Sequence, residues 1–276
     1  MLFDTHTHVN FSGFKEDADA TVKRALDAGT WMVNVGTQAD TSKEAADMTL
    51  KYNQGVFATI GLHPVHTYQQ MLDEEESRFK SRAESFDETY YASILNEKVV
   101  AVGECGLDYF RLPPGVDEAA IKKLQQAEFK KQLAFAKQHQ LPVVIHCREA
   151  YDDVLNILKS DYAGLPGIVH SFTDTWDTAK KFLDLGFYVA LNGILTFDKT
   201  GKLAEVAKNT PLDMLLTETD APYLTPPPYR GKRNEPAYVK YIAEHIAGLR
   251  GMPFEELAEA TFHNACRIYN IKNFNK

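Results

Sequence analysis

The feature that most restricts the fold is a repeated unit: a short apolar, β-branched run that closes on one or two polar residues and leads into a helical pattern ending near glycine. The runs occupy residues 2–5, 31–35, 56–62, 99–103, 142–145, 167–169, 187–191 and 214–217, eight in all. Helical spacing fills 17–28 up to Gly29, 41–52 up to Gly55, 117–139 before Pro142, 175–185 up to Gly186, and 236–249 followed by 253–266. Strands alternating with helices demand right-handed parallel crossovers. Runs that are apolar on both faces suit a sheet covered outside by helices and filled inside by side chains. Eight units in 276 residues predict an α/β fold, a (β/α)8 TIM barrel. The uneven spacing leaves a doubly wound open sheet as the alternative. No Gly-, Ser- or Pro-rich linker breaks the chain, and Pro226-Pro227-Pro228 reads as a rigid loop, so residues 1–276 are expected to form a single domain.

Charge and cysteine content narrow the setting. With 30 basic and 38 acidic residues the formal charge is −8, which excludes a surface that grips polyanions everywhere; any nucleic-acid contact must be local. Three cysteines without a CxxC pair give neither a disulfide framework nor a zinc knuckle and suit a reducing compartment. The opening residues lack the basic head and apolar run of a signal peptide, and no stretch reaches the roughly 18 apolar residues that span a bilayer. A cytoplasmic protein without membrane contact is expected.

The polar residues that close the strands carry the chemistry. His6, His8, His63, Glu104, His146, His170 and Asp220 all fall at C-terminal strand ends, which share one mouth in a parallel barrel. Side chains alternate along a strand, so His6 and His8 face one side, and the same parity joins Val144, His146 and Arg148, then Ile168, His170 and Phe172, then Leu216, Glu218 and Asp220. Four imidazoles (His6, His8, His146, His170) and two carboxylates (Glu104, Asp220) exceed the needs of one tetrahedral zinc. They suit two divalent ions roughly 3.5–4 Å apart that share a bridging group. Glu104 is the natural bridge, and Gly103 and Gly106 beside it let the backbone come close. Asp220 can bind one ion and accept a proton from water whose pKa the ion lowers toward about 7. Glu218 lies deeper on the same face, where it can hold a histidine ring by its other nitrogen.

Other residues read more plainly. His63 alone fits a hydrogen-bonded structural histidine as well as a site residue. Cys105 and Cys147 have the opposite parity and are expected to be buried small residues. His66, His139, His245 and His263 lie in helices or loops and are expected at the surface or at caps. Phe110, Phe172, Trp176 and Tyr223 follow strand ends, where they either pack the rim or offer a stacking surface to a flexible substrate. Arg148, Arg111 and the segment 229–234 with Arg230, Lys232 and Arg233 put cationic donors around the mouth, which suits a phosphate better than a neutral amide. Lys232 and Arg233 also fit a solvated charge run.

Six segments in order resemble the TatD family of metal-dependent deoxyribonucleases in the amidohydrolase superfamily. They are residues 2–10 with Asp4, His6 and His8; Gly61-Leu62-His63-Pro64; Gly103-Glu104-Cys105-Gly106-Leu107-Asp108; 142–148 ending in His146-Cys147-Arg148; 216–222 with Glu218 and Asp220; and 230–236. The resemblance implies a (β/α)8 barrel with His6, His8, Glu104, His146, His170 and Asp220 as ligands of two divalent ions (Zn, Mn or Mg). It implies His63 and Arg148 facing the substrate phosphate. The implied reaction is hydrolysis of a DNA phosphodiester at a single-stranded or frayed 3′ end, as a 3′–5′ exonuclease, with Asp220 and Glu104 central to it and no obligate protein partner. Phe110 and Tyr229 stand where relatives often carry histidine, which affects substrate preference rather than the ligand set. The competing activity is amidohydrolase chemistry on a small ester, lactone or cyclic amide, or on an aminoacyl ester of RNA. A metal-dependent binding module without catalysis would have lost the base, and Asp220 is present.

Overall fold

Eight parallel strands follow one another around a single sheet in chain order. They are β1 (Leu2–Thr7), β2 (Thr30–Val35), β3 (Val56–Ile60), β4 (Val99–Asp108), β5 (Val143–Arg148), β6 (Gly167–Val169), β7 (Phe187–Leu191) and β8 (Leu215–Thr217). The computed structural model describes residues 1–69, 71–74, 77–110, 112 and 115–272; Arg111 lies outside them. β1 meets β8 through a parallel bridge between Thr7 and Ala221, a 3.1 Å bond from Thr5 Oγ1 to Thr217 O, and backbone bonds from His8 N to Ala221 O (2.7 Å) and Asp220 N to His6 O (2.8 Å). Sequential order with the first strand beside the last is a TIM barrel; a doubly wound sheet would reverse its order at a switch point.

Helices α1 (Ala18–Asp27), α2 (Ala39–Thr49), α3 (Glu88–Ser93), α4 (Glu118–His139), α5 (Tyr151–Asp161), α6 (Trp176–Leu183) and α7 (Lys202–Asn209) connect the strands, and α8 (Val239–Arg250) and α9 (Phe254–Ile268) follow β8. An antiparallel hairpin, Met71–Glu74 with Ser77–Lys80, lies between β3 and α3. The core has two main layers. Inside, Val33, Val35, Val144, Ile168, Ala190 and Leu216 pack with Phe3 and Trp31, and Phe262, Ala265 and Ile268 of α9 with Tyr269 close the lower end. The Tyr269 hydroxyl donates to Thr5 O at 2.9 Å. Outside, Ile60, Val102, Val143, Ile145, Val169 and Leu191 meet the helices, and Cys105 and Cys147 sit in this layer as their parity expects.

α4 fastens two strand ends from outside. Gln125 gives Nε2 to Asp108 O (2.9 Å) and takes Asp108 N (2.9 Å); one heptad on, Gln132 gives Nε2 to Leu62 O (2.9 Å) and takes Leu62 N (2.7 Å). Both amides are buried, so each replaces a strand neighbour that the backbone lacks. Gln132→Leu orphans two buried backbone groups and is expected to cost about 3 kcal/mol, read as a lower urea midpoint at unchanged m.

Candidate active site

Glu104 is the hub, and local backbone geometry puts it there. At Gly106, φ is +139° and an added Cβ would lie 2.0 Å from His146 O; at Gly103 it would lie 2.7 Å from Val144. Only glycine allows β4 to run this close to β5. The buried Glu104 carboxylate then meets five rings. Its Oε1 lies 2.9 Å from His146 Nδ1, 3.0 Å from His170 Nε2 and 3.4 Å from His63 Nε2; its Oε2 lies 3.4 Å from His6 Nε2 and 4.0 Å from His8 Nε2. Asp220 Oδ1 closes the group at 3.3 Å from His8 Nε2 and 3.7 Å from His6 Nε2. Ligand-type atoms therefore gather in three overlapping sets: His6, Glu104 and His170; His6, His8 and Asp220; and His63, Glu104 and His146.

The outer ring nitrogens say what the inner ones can do. His8 Nδ1 lies 3.0 Å from Val35 O, which only accepts, so the proton sits on Nδ1 and Nε2 turns a lone pair inward. His170 Nδ1 meets Glu218 Oε1 at 3.1 Å, and His146 Nε2 meets Asp108 Oδ2 at 3.0 Å. With those protons spent outward, an inner imidazole nitrogen and a Glu104 oxygen face each other lone pair to lone pair at about hydrogen-bond distance. Positive charge between them, a proton or a metal ion, relieves that contact, and a donor set of this kind fits a metal. Without one, protons take the place. Burial opposes charging His146, yet Asp108 and Glu104 push it up to about 9; burial likewise opposes charging His170, and Glu218 and Glu104 carry it well above the usual range. Burial raises the Glu104 and Asp220 carboxyls, but the facing imidazoles, chiefly His170 for Glu104 and His8 for Asp220, hold both low. Burial and the neighbouring His170 keep His6 down.

His63 has the reverse polarity. Its Nδ1 accepts from Val65 N at 3.2 Å, so Nε2 carries the proton and points a donor, not a lone pair, at the cluster. Burial and then His146 hold its pKa low, which keeps it a neutral donor. Arg148 follows at the end of β5, partly exposed, with its guanidinium 3.8 Å from the Phe110 ring centre.

A clasp across the barrel seam sets Asp220. Asp4, wholly buried, accepts from Thr219 N (2.8 Å), Thr219 Oγ1 (2.5 Å) and His6 N (3.3 Å). Burial raises its carboxyl well above the usual range despite the Thr219 bonds. Asn234, also buried, donates to Thr219 O (3.0 Å) and Tyr223 O (2.6 Å) and pins the loop that follows. Glu218 Oε1 accepts from Ser171 N (2.6 Å) as well as from His170.

The structure thus brings His6, His8, His63, Glu104, His146, His170 and Asp220 together, with Glu218 behind His170 and Arg148 at the rim. Three expectations change. His66 is buried against His63, ring centres 6.3 Å apart, and burial with that neighbour lowers it to about 3, so it is no surface residue. Phe172 packs outward on Tyr151 and Phe182, because Ser171 at φ +46° breaks the alternation after His170. Arg233 is engaged by Asp17 (2.6 Å) and stacked on Phe14, so it braces the fold rather than lining the mouth. Arg111 lies outside the described residues. Sequence reasoning passed over Asp108, although Glu104, Gly106 and Asp108 share one parity on β4.

Comparison with known proteins agrees with this geometry. The family model described as TatD related DNase matches residues 3–270. "Uncharacterized metal-dependent hydrolase YabD" of Bacillus subtilis is 40% identical, covering 98% of this chain and 100% of that one. "3'-5' ssDNA/RNA exonuclease TatD" of Erwinia billingiae is 34% identical, covering 98% and 99%. Among solved structures, the TatD homolog YjjV of Escherichia coli K12 superposes with a TM-score of 0.82 at 29% identity, covering 98% of each chain. A chain matched over nearly its whole length in this way is an enzyme, a metal-dependent hydrolase, and belongs to the TatD family.

Proposed function

We propose that this enzyme hydrolyses DNA phosphodiester bonds from an exposed 3′ end, using two divalent cations (Zn, Mn or Mg) held by His6, His8, Glu104, His146, His170 and Asp220. The observation that carries the reading is Glu104: one carboxylate with Oε1 toward His146 and His170 and Oε2 toward His6, the arrangement of a bridge between two sites. Cations held there would supply Lewis acidity, acidifying water and offsetting phosphoryl charge.

The chain's own residues do the rest. Asp220, held ionised by the imidazoles around it, takes the proton of the attacking water. His63 Nε2–H and the Arg148 guanidinium donate to phosphoryl oxygens as charge builds on them. Asp108 and Glu218 keep the His146 and His170 rings in one tautomer and orientation. A neutral amide has no need of an arginine at the rim, which favours the phosphodiester; relatives named as ssDNA/RNA exonucleases support it. The reading takes residues 1–276 as one hydrolase domain that acts in the cytoplasm without an obligate protein partner. No helix among the described residues is long and apolar enough to cross a membrane.

Incubation with single-stranded and duplex oligonucleotides, with each metal in turn, and with a panel of lactones, cyclic amides and aminoacyl esters tests the proposal. Metal-dependent shortening of single strands from the 3′ end, abolished by chelation and restored by Mg, Mn or Zn, is the expected result. Turnover confined to the small-molecule panel would overturn it in favour of amidohydrolase chemistry.

A further inference from the structure

We propose that Phe110 and Phe197, each backed by an arginine, are nucleobase platforms on either side of the scissile phosphate and give the enzyme its preference for unpaired strands. The inference rests on the nuclease reading and adds the residues that select the substrate. Phe110 is 54% exposed and Phe197 36%; the other exposed large hydrophobic residues among those described, Met1, Leu50, Val116 and Leu124, are aliphatic. Both rings stand at the mouth. Phe110 lies two residues beyond β4, and Phe197 ends the 3-10 turn Gly193–Thr196 beyond β7. The strands between them, β5 and β6, bring His146 and His170.

Each ring carries a guanidinium on one face: Arg148 at 3.8 Å from the Phe110 centroid, Arg230 at 4.0 Å from that of Phe197. Both units are anchored to backbone or site. Phe110 N donates to Asp108 Oδ1 (3.0 Å), the residue that holds His146, and Arg230 Nη1 donates to Thr225 O (2.9 Å). The N–H donors of a guanidinium lie in its own plane, where a phosphate oxygen can meet them while a base covers the opposite face of the phenyl ring. A flat π-surface beside an anion site is what a nucleotide matches, and an unpaired base turns its face to one far more readily than a base stacked inside a duplex. Stacking of this kind tolerates every base.

The test uses single-stranded oligodeoxynucleotides with one stable abasic residue moved through the positions flanking the cut, assayed with wild type, Phe110→Ala, Phe197→Ala, Phe110→Leu and Phe110→Trp. Alanine at either position is expected to lower kcat/KM about ten-fold on intact strands, through KM rather than kcat. The loss should vanish when the base read by that ring is absent, at a different position for each ring. Tryptophan should restore it and leucine should not. An alanine penalty equal on every abasic strand, or a leucine variant as good as wild type, overturns the platforms while leaving the nuclease standing. A wild type that cleaves no strand overturns both.

Discussion

Asp220→Asn is expected to lower kcat on a single-stranded oligonucleotide by 10²-fold or more while retaining most bound metal. Asparagine keeps one oxygen facing His6 and His8 and keeps the backbone bond to His6 O, so the pocket holds its shape. What it loses is an acceptor that can take a proton. Stopped-time assays at saturating substrate, paired with elemental analysis of the purified variant, separate the two. A rate near wild type would remove Asp220 from proton transfer, and loss of metal in step with rate would make it a ligand alone.

Glu104→Gln is expected to be more damaging. The carboxylate is buried and shared among several imidazoles, and an amide offers one oxygen where the site needs two. Breaking one partner of a buried charged cluster costs about 3–5 kcal/mol, or about 10³-fold in affinity, so metal binding is expected to fall by that order and turnover to be lost with it. Titration of the chelator-treated protein with Mn reads the affinity directly. A variant that still takes two equivalents at wild-type strength would mean that Glu104 bridges nothing.

Much of this arrangement is legible in the sequence, and the exceptions have physical causes. Apolar runs locate all eight strands because a barrel buries both of their faces, and strict alternation aligns His6 with His8 and His146 with Arg148. Alternation fails where the backbone leaves the strand, as at Ser171, which turns Phe172 to the outer layer. Helices α3, α5 and α7 escaped the pattern: α5 and α7 follow Ala150 and Gly201, where a Ser or Asp would announce a start, and α3, though capped by Asp87, has only six residues in which to show a period. β4 runs on to Asp108 rather than stopping at Gly103, since glycines inside a strand read as its end until the close approach to β5 explains them. The burial of His66 depends on a three-residue turn, Pro64–His66, folding back over the barrel rim, which no local spacing encodes.

The seam between β1 and β8 has a consequence for how the enzyme comes to life. The Asp4–Thr219 clasp joins positions 215 residues apart, and the same closure sets Asp220 against His6 and His8. During translation the imidazole pair leaves the ribosome early and must wait for its carboxylate until most of the polypeptide has followed. An enzyme built this way has no complete site as a nascent chain and gains one only when the barrel has shut.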